Sequence, residues 1–210
     1  MRFFTLVLLT CIANISFAQP EYPDYRSKRE LFKRIIEKDI RSDIASFSMG
    51  GLEESIGKLP LQTLPITATG ANFITFAGNN MEVTLKSKPF EPAKHKLGYY
   101  ESKYLVKIDN KPYFGDYGKV PRTEIESVTV IVGRDTIAVP QAAFFDLYNP
   151  IFSFNDKGVQ KSQSKVLLSA DGRKIYVYML KPETGGSYEV VWIIQDKKYF
   201  KRMVDFGFLN

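Results

Sequence analysis

Residues 188–194 read Tyr-Glu-Val-Val-Trp-Ile-Ile, apolar at odd and even positions alike except for Glu189. Side chains on a strand alternate between two faces, so such a run is stable only where both faces are covered. Its neighbours limit how that happens. Residues 166–169, 174–180 and 199–206 also carry strand composition, and the links between the four runs are Asp171-Gly172, Pro182-Glu183-Thr184-Gly185-Gly186 and Asp196-Lys197. Links this short join only antiparallel neighbours, which makes the C-terminal part a meander with a doubly covered strand inside it. The cover is expected to be a second sheet or a helix. With Asp196 and Lys197 as the two turn residues, Trp192 should face Lys201, Val190 should face Met203, and Ile193 should face Phe200. Trp192, the single tryptophan, then belongs to the core with Lys201 lying along its ring.

Both kinds of cover can be found upstream. Ser27-Lys28-Arg29-Glu30 has capping-box spacing, and Leu31, Phe32, Ile35, Ile36, Ile40, Ile44 and Phe47 recur at three- and four-residue steps as far as Gly50-Gly51. This spacing predicts an amphipathic helix over about 27–48. Its polar face mixes Glu30, Glu37, Asp39 and Asp43 with lysines and arginines, which suits packing on the protein's own sheet better than lying on a membrane.

From Leu61 onward the apolar period becomes two. Met81, Val83 and Leu85 alternate with Glu82, Thr84 and Lys86, and Gly78-Asn79-Asn80 turns the chain back from 73–77. Tyr104, Val106 and Ile108 lead into Asp109-Asn110-Lys111 and an edge-tolerant Pro112, while 126–132 and 136–139 flank Gly133-Arg134-Asp135. Pro140 suits the first turn of a two-turn helix over 141–148, ended by Asn149-Pro150, and the polar, aperiodic 156–165 reads as a surface loop. The fold class is therefore mainly β with an N-terminal amphipathic helix. The antiparallel meander forms either a β-sandwich or a strongly curved sheet packed on that helix.

The chain opens with Arg2, an apolar run from Phe3 to about Ile12, and Ser16-Phe17-Ala18, the pattern of a secretory signal peptide over 1–18. No apolar run approaches the roughly 20 residues of a membrane-spanning helix. Cleavage after Ala18 would leave Gln19 first and a single 192-residue domain over 19–210, without thiols, because the one cysteine, Cys11, lies inside the signal. The alternative, acylation of Cys11 as a lipoprotein, meets Thr10 before the cysteine and a very short apolar run. Losing Arg2 takes the net charge from +6 to +5. An exported, mildly basic protein of the periplasm or cell exterior has envelope polymers or proteins as partners rather than nucleic acid.

Little in the chain points to catalysis. The only histidine, His95, sits between Lys94 and Lys96 as an expected solvated loop residue, and neither a nucleophile elbow nor a phosphate-binding glycine loop is present. No cofactor is expected. Asp109 and Asp116 bracket a hairpin-like segment and read as turn residues, with a calcium site or a carboxylate pair for hydrolysis as alternatives. The local anomaly is aromatic: Tyr99, Tyr100, Tyr104, Tyr113 and Tyr117 cluster near turns beside Lys103 and Asp116. Aromatic faces rimmed by hydrogen-bonding groups fit a sugar ring or an extended chain. The expectation is a non-catalytic binding domain of the bacterial envelope whose ligand is a glycan or an envelope protein. The alternatives are an assembly subunit docking through its helix or a strand edge, and a carboxylate-dependent hydrolase.

Overall fold

The structure, a computed structural model, describes residues 32, 35–49, 57–182 and 185–206. The expected signal peptide, Cys11 and the Ser27–Glu30 capping box lie outside the described residues. Helix α1 (Lys38–Ala45) is followed by β1 (Gln62–Thr63), β2 (Ile66–Thr69), β3 (Phe73–Gly78), β4 (Met81–Pro89), β5 (Leu97–Tyr100) and β6 (Tyr104–Ile108). Then come β7 (Thr123–Val132), β8 (Asp135–Ala138), β9 (Phe154–Asp156), β10 (Val159–Lys161), β11 (Lys165–Leu168), β12 (Lys174–Lys181), β13 (Tyr188–Gln195) and β14 (Lys198–Phe206). All ladders are antiparallel. One five-stranded sheet has the order β1-β11-β12-β13-β14 and the other β2-β3-β4-β7-β8, with two-stranded ribbons β5-β6 and β9-β10 beside them.

The two large sheets share one core. Ile74, Phe76, Val83, Leu85 and Val130 of one meet Val177, Met179, Val190, Trp192 and Ile194 of the other. The opposite face of β12 and β13 carries Tyr176, Tyr178, Val191 and Ile193, and these pack under Phe32, Ile35, Ile40, Ile44 and Ala45. Strands β12 and β13 are thus covered by a sheet on one side and by the α1 segment on the other. Every residue of β12 is buried, and all of β13 except Gln195.

Trp192 is fully buried, as expected, but its partner differs. The ladder shifts register between Ile193 and Ile194, so Trp192 faces Arg202, Ile193 faces Lys201 and Val191 faces Met203. The two turn residues are as expected, both with positive φ (Asp196 49°, Lys197 58°), so the bulge one step inside the strand displaces every pair beyond it. The indole N–H donates to the Ala143 carbonyl at 2.7 Å, and the Lys201 ammonium lies 5.2 Å from the Phe200 ring instead.

Three other expectations change. Of the helix expected over 27–48, residues 27–31, 33 and 34 lie outside the described residues and Phe32 is helical, but residues 35–37 are not, and Glu37, extended at φ −73° and ψ 107°, is the N-cap from which α1 starts afresh. That break turns Ile36 outward, 89% exposed, while Ile35 and Ile40 stay buried. The helix expected over 141–148 is a single 3-10 turn, Gln141–Ala143, after which the Phe114 N–H donates to the Asp146 carbonyl and the Tyr148 N–H to the Phe114 carbonyl in place of a continued helix. The loop expected over 156–165 contains the β9-β10 hairpin, turned at Lys157-Gly158 with both residues at positive φ.

Polar ties hold α1 to the sheet. Tyr176 donates to Asp43 at 2.6 Å, and the Lys174 ammonium meets Asp39 at 2.9 Å. Hydrogen bonding to each other is the main cause that lowers the Asp39 carboxyl below its ordinary value and raises the Lys174 ammonium above its own. The Asp39 contribution is present above the ordinary carboxylate value and lost as pH falls through the lowered one. The Lys174 contribution is present below the ordinary lysine value and lost as pH rises through the raised one. Asp39 is mostly exposed, so Asp39→Asn should cost at most about 1 kcal/mol at neutral pH. Urea titrations of variant and parent should converge in strong acid. For packing, Ile40→Ala should cost about 2–5 kcal/mol of unfolding free energy in urea titrations, whereas Ile36→Ala should change it by no more than about 0.5 kcal/mol.

Candidate functional site

The β5-β6 ribbon presents the tyrosines, and its geometry starts from its own register. Tyr100 pairs with Tyr104 and Gly98 with Lys107, with a bulge between Gly98 and Tyr99. Directly paired residues of an antiparallel ladder share a face, so Tyr100, Tyr104 and Lys107 lie around Gly98 on the outward side. The inward side holds Leu97, Leu105 and Ile108, which pack with Phe90, Tyr148 and Tyr113 in a small core of their own. Tyr99, paired with Leu105, stands at the end of that inward face and remains 46% exposed.

Tyr100 is 60% exposed and Tyr104 43%. Two glycines keep the ground beside them low. A side chain at Gly98 would press on Lys107 at 3.3 Å, and one at Gly118 would meet the Tyr104 ring at 3.1 Å. The Leu105–Gly118 bridge brings Tyr117 and Lys119 alongside β6, and Tyr117 is also partly exposed. The Lys103 ammonium sits 4.9 Å from the Tyr104 ring centre. An exposed contact of this kind is worth about 0.5–1 kcal/mol, weak enough for Lys103 to leave the ring and bond an incoming group. The tip of the ribbon is strained: Glu101 and Ser102 hold φ of 50° and 55°, a left-handed conformation that costs roughly 1–2 kcal/mol per ordinary residue.

Tyr113 and Asp116 have a different role from the other expected site residues. The Tyr113 hydroxyl stands within 3.2 Å of the Leu105, Asp116 and Lys119 carbonyls, to which its proton is shared, and its ring packs edge-on against Tyr148. Burial first, and the Asp116 charge second, push its hydroxyl up to about 12. It is a strut that ties the 113–119 loop to β6. Asp116 accepts from the fully buried Lys181 ammonium through one oxygen and from the Asn149 amide through the other, both at 2.7 Å. Asn149 in turn accepts from the Arg122 and Thr123 amides. Beside this knot Gly186 leaves no room for a side chain, since a Cβ there would fall 1.8 Å from the Gly115 oxygen, and Tyr117 N–H donates to Gly185.

The remaining polar residues are also committed. Asp109 binds His95 Nδ1 at 2.7 Å and the Lys96 amide at 2.8 Å, and the histidine bond is the largest cause holding its carboxyl below the usual range. His95 is not the solvated loop residue expected. It stacks on Phe90 at 4.6 Å, and its Nε2 lies 3.8 Å from Glu124, so the groups facing its ring are carboxylates rather than the flanking lysines. Asp109 and Asp116 thus serve separate networks, and among the described residues no three His, Cys, Asp or Glu side chains gather as a metal site. Two open pockets lie elsewhere. One, of about 310 Å³, is lined by Lys111, Phe114, Phe145, Asp146, Arg202 and Phe206; the other, of about 360 Å³, surrounds the β13–β14 turn. Each contains a single carboxylate already held by an arginine, Asp146 by Arg202 and Asp196 by Arg173.

Sequence reasoning missed Lys107, Lys119, Gly98 and Gly118, although the pairing of Tyr100 with Tyr104 across a three-residue turn would have placed Gly98 on their face. It also missed Lys181, which occupies an inward position of β12 by simple alternation from Val177 and Met179. Comparison with known proteins finds no matching family model, no matching curated protein and no matching solved structure. No helix among the described residues is long and apolar enough to cross a membrane.

Removing one member of a buried ion pair leaves the other charge uncompensated, at a cost of about 3–5 kcal/mol. Asp116→Ala, which takes one partner from the buried Lys181 ammonium, should lower the unfolding free energy measured in urea by up to that amount. The double variant Asp116→Asn, Lys181→Met should recover part of the loss, because it removes the buried Lys181 charge together with that of Asp116.

Proposed function

We propose that this chain is an exported, non-catalytic binding domain of the bacterial envelope, and that the outward face of the β5-β6 ribbon takes a saccharide. One observation carries the reading: Tyr100 and Tyr104 are cross-strand partners on one face, both substantially exposed, with Gly98 and Gly118 among their neighbours. A pyranose offers a flat apolar face and a polar rim, and exposed aromatic rings on low ground match that shape. Export rests on the N-terminal signal pattern.

Beneath the ribbon, the Tyr113 strut and the Asp116–Lys181 pair hold the loop that borders Tyr104, which reduces the ordering a ligand would have to impose. The alternatives have less behind them. The apolar side of α1 is already used, since Ile40 and Ile44 are in the core, and the carboxylates a hydrolase would need are individually paired.

Affinity gel electrophoresis against a panel of laminarin, xylan, polygalacturonate and soluble peptidoglycan tests the reading. The protein should be retarded by at least one of them. A Tyr100→Ala, Tyr104→Ala double variant should lose the retardation while its unfolding midpoint changes by about 1 kcal/mol or less, as for other exposed substitutions. A parent retarded by none of the four, or a variant retarded equally, overturns it.

A further inference from the structure

The cations of the tyrosine surface carry the saccharide reading one step further. Lys103 stands over the Tyr104 ring, Lys107 lies on the face of Tyr100 beside Gly98, and Lys119 follows Tyr117 and Gly118 next to β6. No ion pair joins any of these three lysines to a carboxylate among the described residues, unlike Lys88, Lys94, Lys174 and Lys181, which all have acidic partners. The carboxylates in segments 97–108 and 116–119 are Glu101 at the ribbon tip and Asp116, whose charge is already answered by Lys181. Among the described residues, these two segments therefore carry three lysines without an ion pair and one exposed carboxylate, Glu101. Mutual repulsion among unpaired lysines opposes such a cluster, and an anionic ligand removes that penalty.

We propose, on the basis of the saccharide reading above, that the ligand is a polyuronate: a pyranose chain with one carboxylate on each ring. The combination of exposed rings and cations selects it. Lys103 stands over the Tyr104 ring, Lys107 pairs with Gly98 on the face of Tyr100, and Lys119 follows Tyr117 and Gly118, so unpaired cations stand among exposed rings, as a chain with both stacking faces and carboxylates requires. Stacking supplies shape recognition, while the lysines supply attraction and register along the chain. A single-stranded nucleic acid also combines stacking faces with charge and is the competing polyanion.

The test compares three probes at about 0.15 M salt, where exposed charges are screened beyond roughly 8 Å: polygalacturonate, the same polymer with its carboxylates methyl-esterified, and oligothymidylate. Polygalacturonate should bind, with roughly tenfold weaker binding for the ester and for a Lys103→Gln, Lys107→Gln, Lys119→Gln variant, each exposed pair contributing a modest share. Tyr100→Ala should also lose binding, which separates stacking from general attraction to polyanions. Equal binding of acid and ester overturns the polyuronate assignment and leaves the saccharide reading standing. Binding of neither polymer, with retention by laminarin or xylan, has the same meaning. Failure of every polysaccharide ends both readings, and oligothymidylate binding as tight as polygalacturonate overturns the assignment in favour of a nucleic-acid surface.

Discussion

The structure depends on the burial of two adjacent strands, β12 and β13, at every position but Gln195. Their backbones are satisfied by ladders to β11, to each other and to β14, and both of their faces are removed from water by unlike covers. Neither cover alone would suffice. Without the second sheet, Trp192 and Met179 would be wet; without the α1 segment, Tyr176, Val191 and Ile193 would be. The hydrophobic gain from large side chains on both faces, about 1.5–3 kcal/mol for each one fully buried, makes this pair of strands the frame on which the rest is assembled. Everything polar on the frame is then obliged to find a partner, which is why Tyr178 donates to Glu189 and why Lys181, at the end of an inward row, reaches Asp116.

That frame was legible in the sequence because doubly apolar strands with two-residue turns leave few alternatives. The hairpins of β3-β4 and β7-β8 were legible for the same reason: strict alternation and positive-φ turn residues are local signals. The errors fall where tertiary forces override local pattern. Ile36 fits the helical stripe as well as Ile35 does, yet the chain leaves the helix between residues 35 and 37. The Ile193 bulge is invisible to a period-two argument that counts outward from a turn. Residues 141–148 have helical spacing, but Trp192 and Arg202 both use the Ala143 carbonyl, and the chain beyond is drawn into pairing with Phe114.

The tyrosine surface was partly legible. Composition indicated that 98–118 is unusual, but composition cannot separate a ring that faces solvent from one whose hydroxyl braces three carbonyls. Tyr100 and Tyr113 look alike in sequence and perform opposite tasks. Asp116 was similarly ambiguous, because its partners Asn149 and Lys181 lie 33 and 65 residues away. Paired lysines and unpaired ones are also indistinguishable until the fold shows where the carboxylates are.

The position of Trp192 has a practical consequence. The chain contains one tryptophan, fully buried at the meeting of both sheets with the 141–143 turn, and its indole N–H is engaged by a carbonyl. Its fluorescence therefore arises from a single chromophore in a single dry environment. A shift of emission to longer wavelength reports that water has reached the ring, as when the two sheets separate or the 141–143 turn lifts from it. The β5-β6 ribbon contains no tryptophan, so emission excited in the indole alone, beyond the absorption of tyrosine, follows the opening of the core.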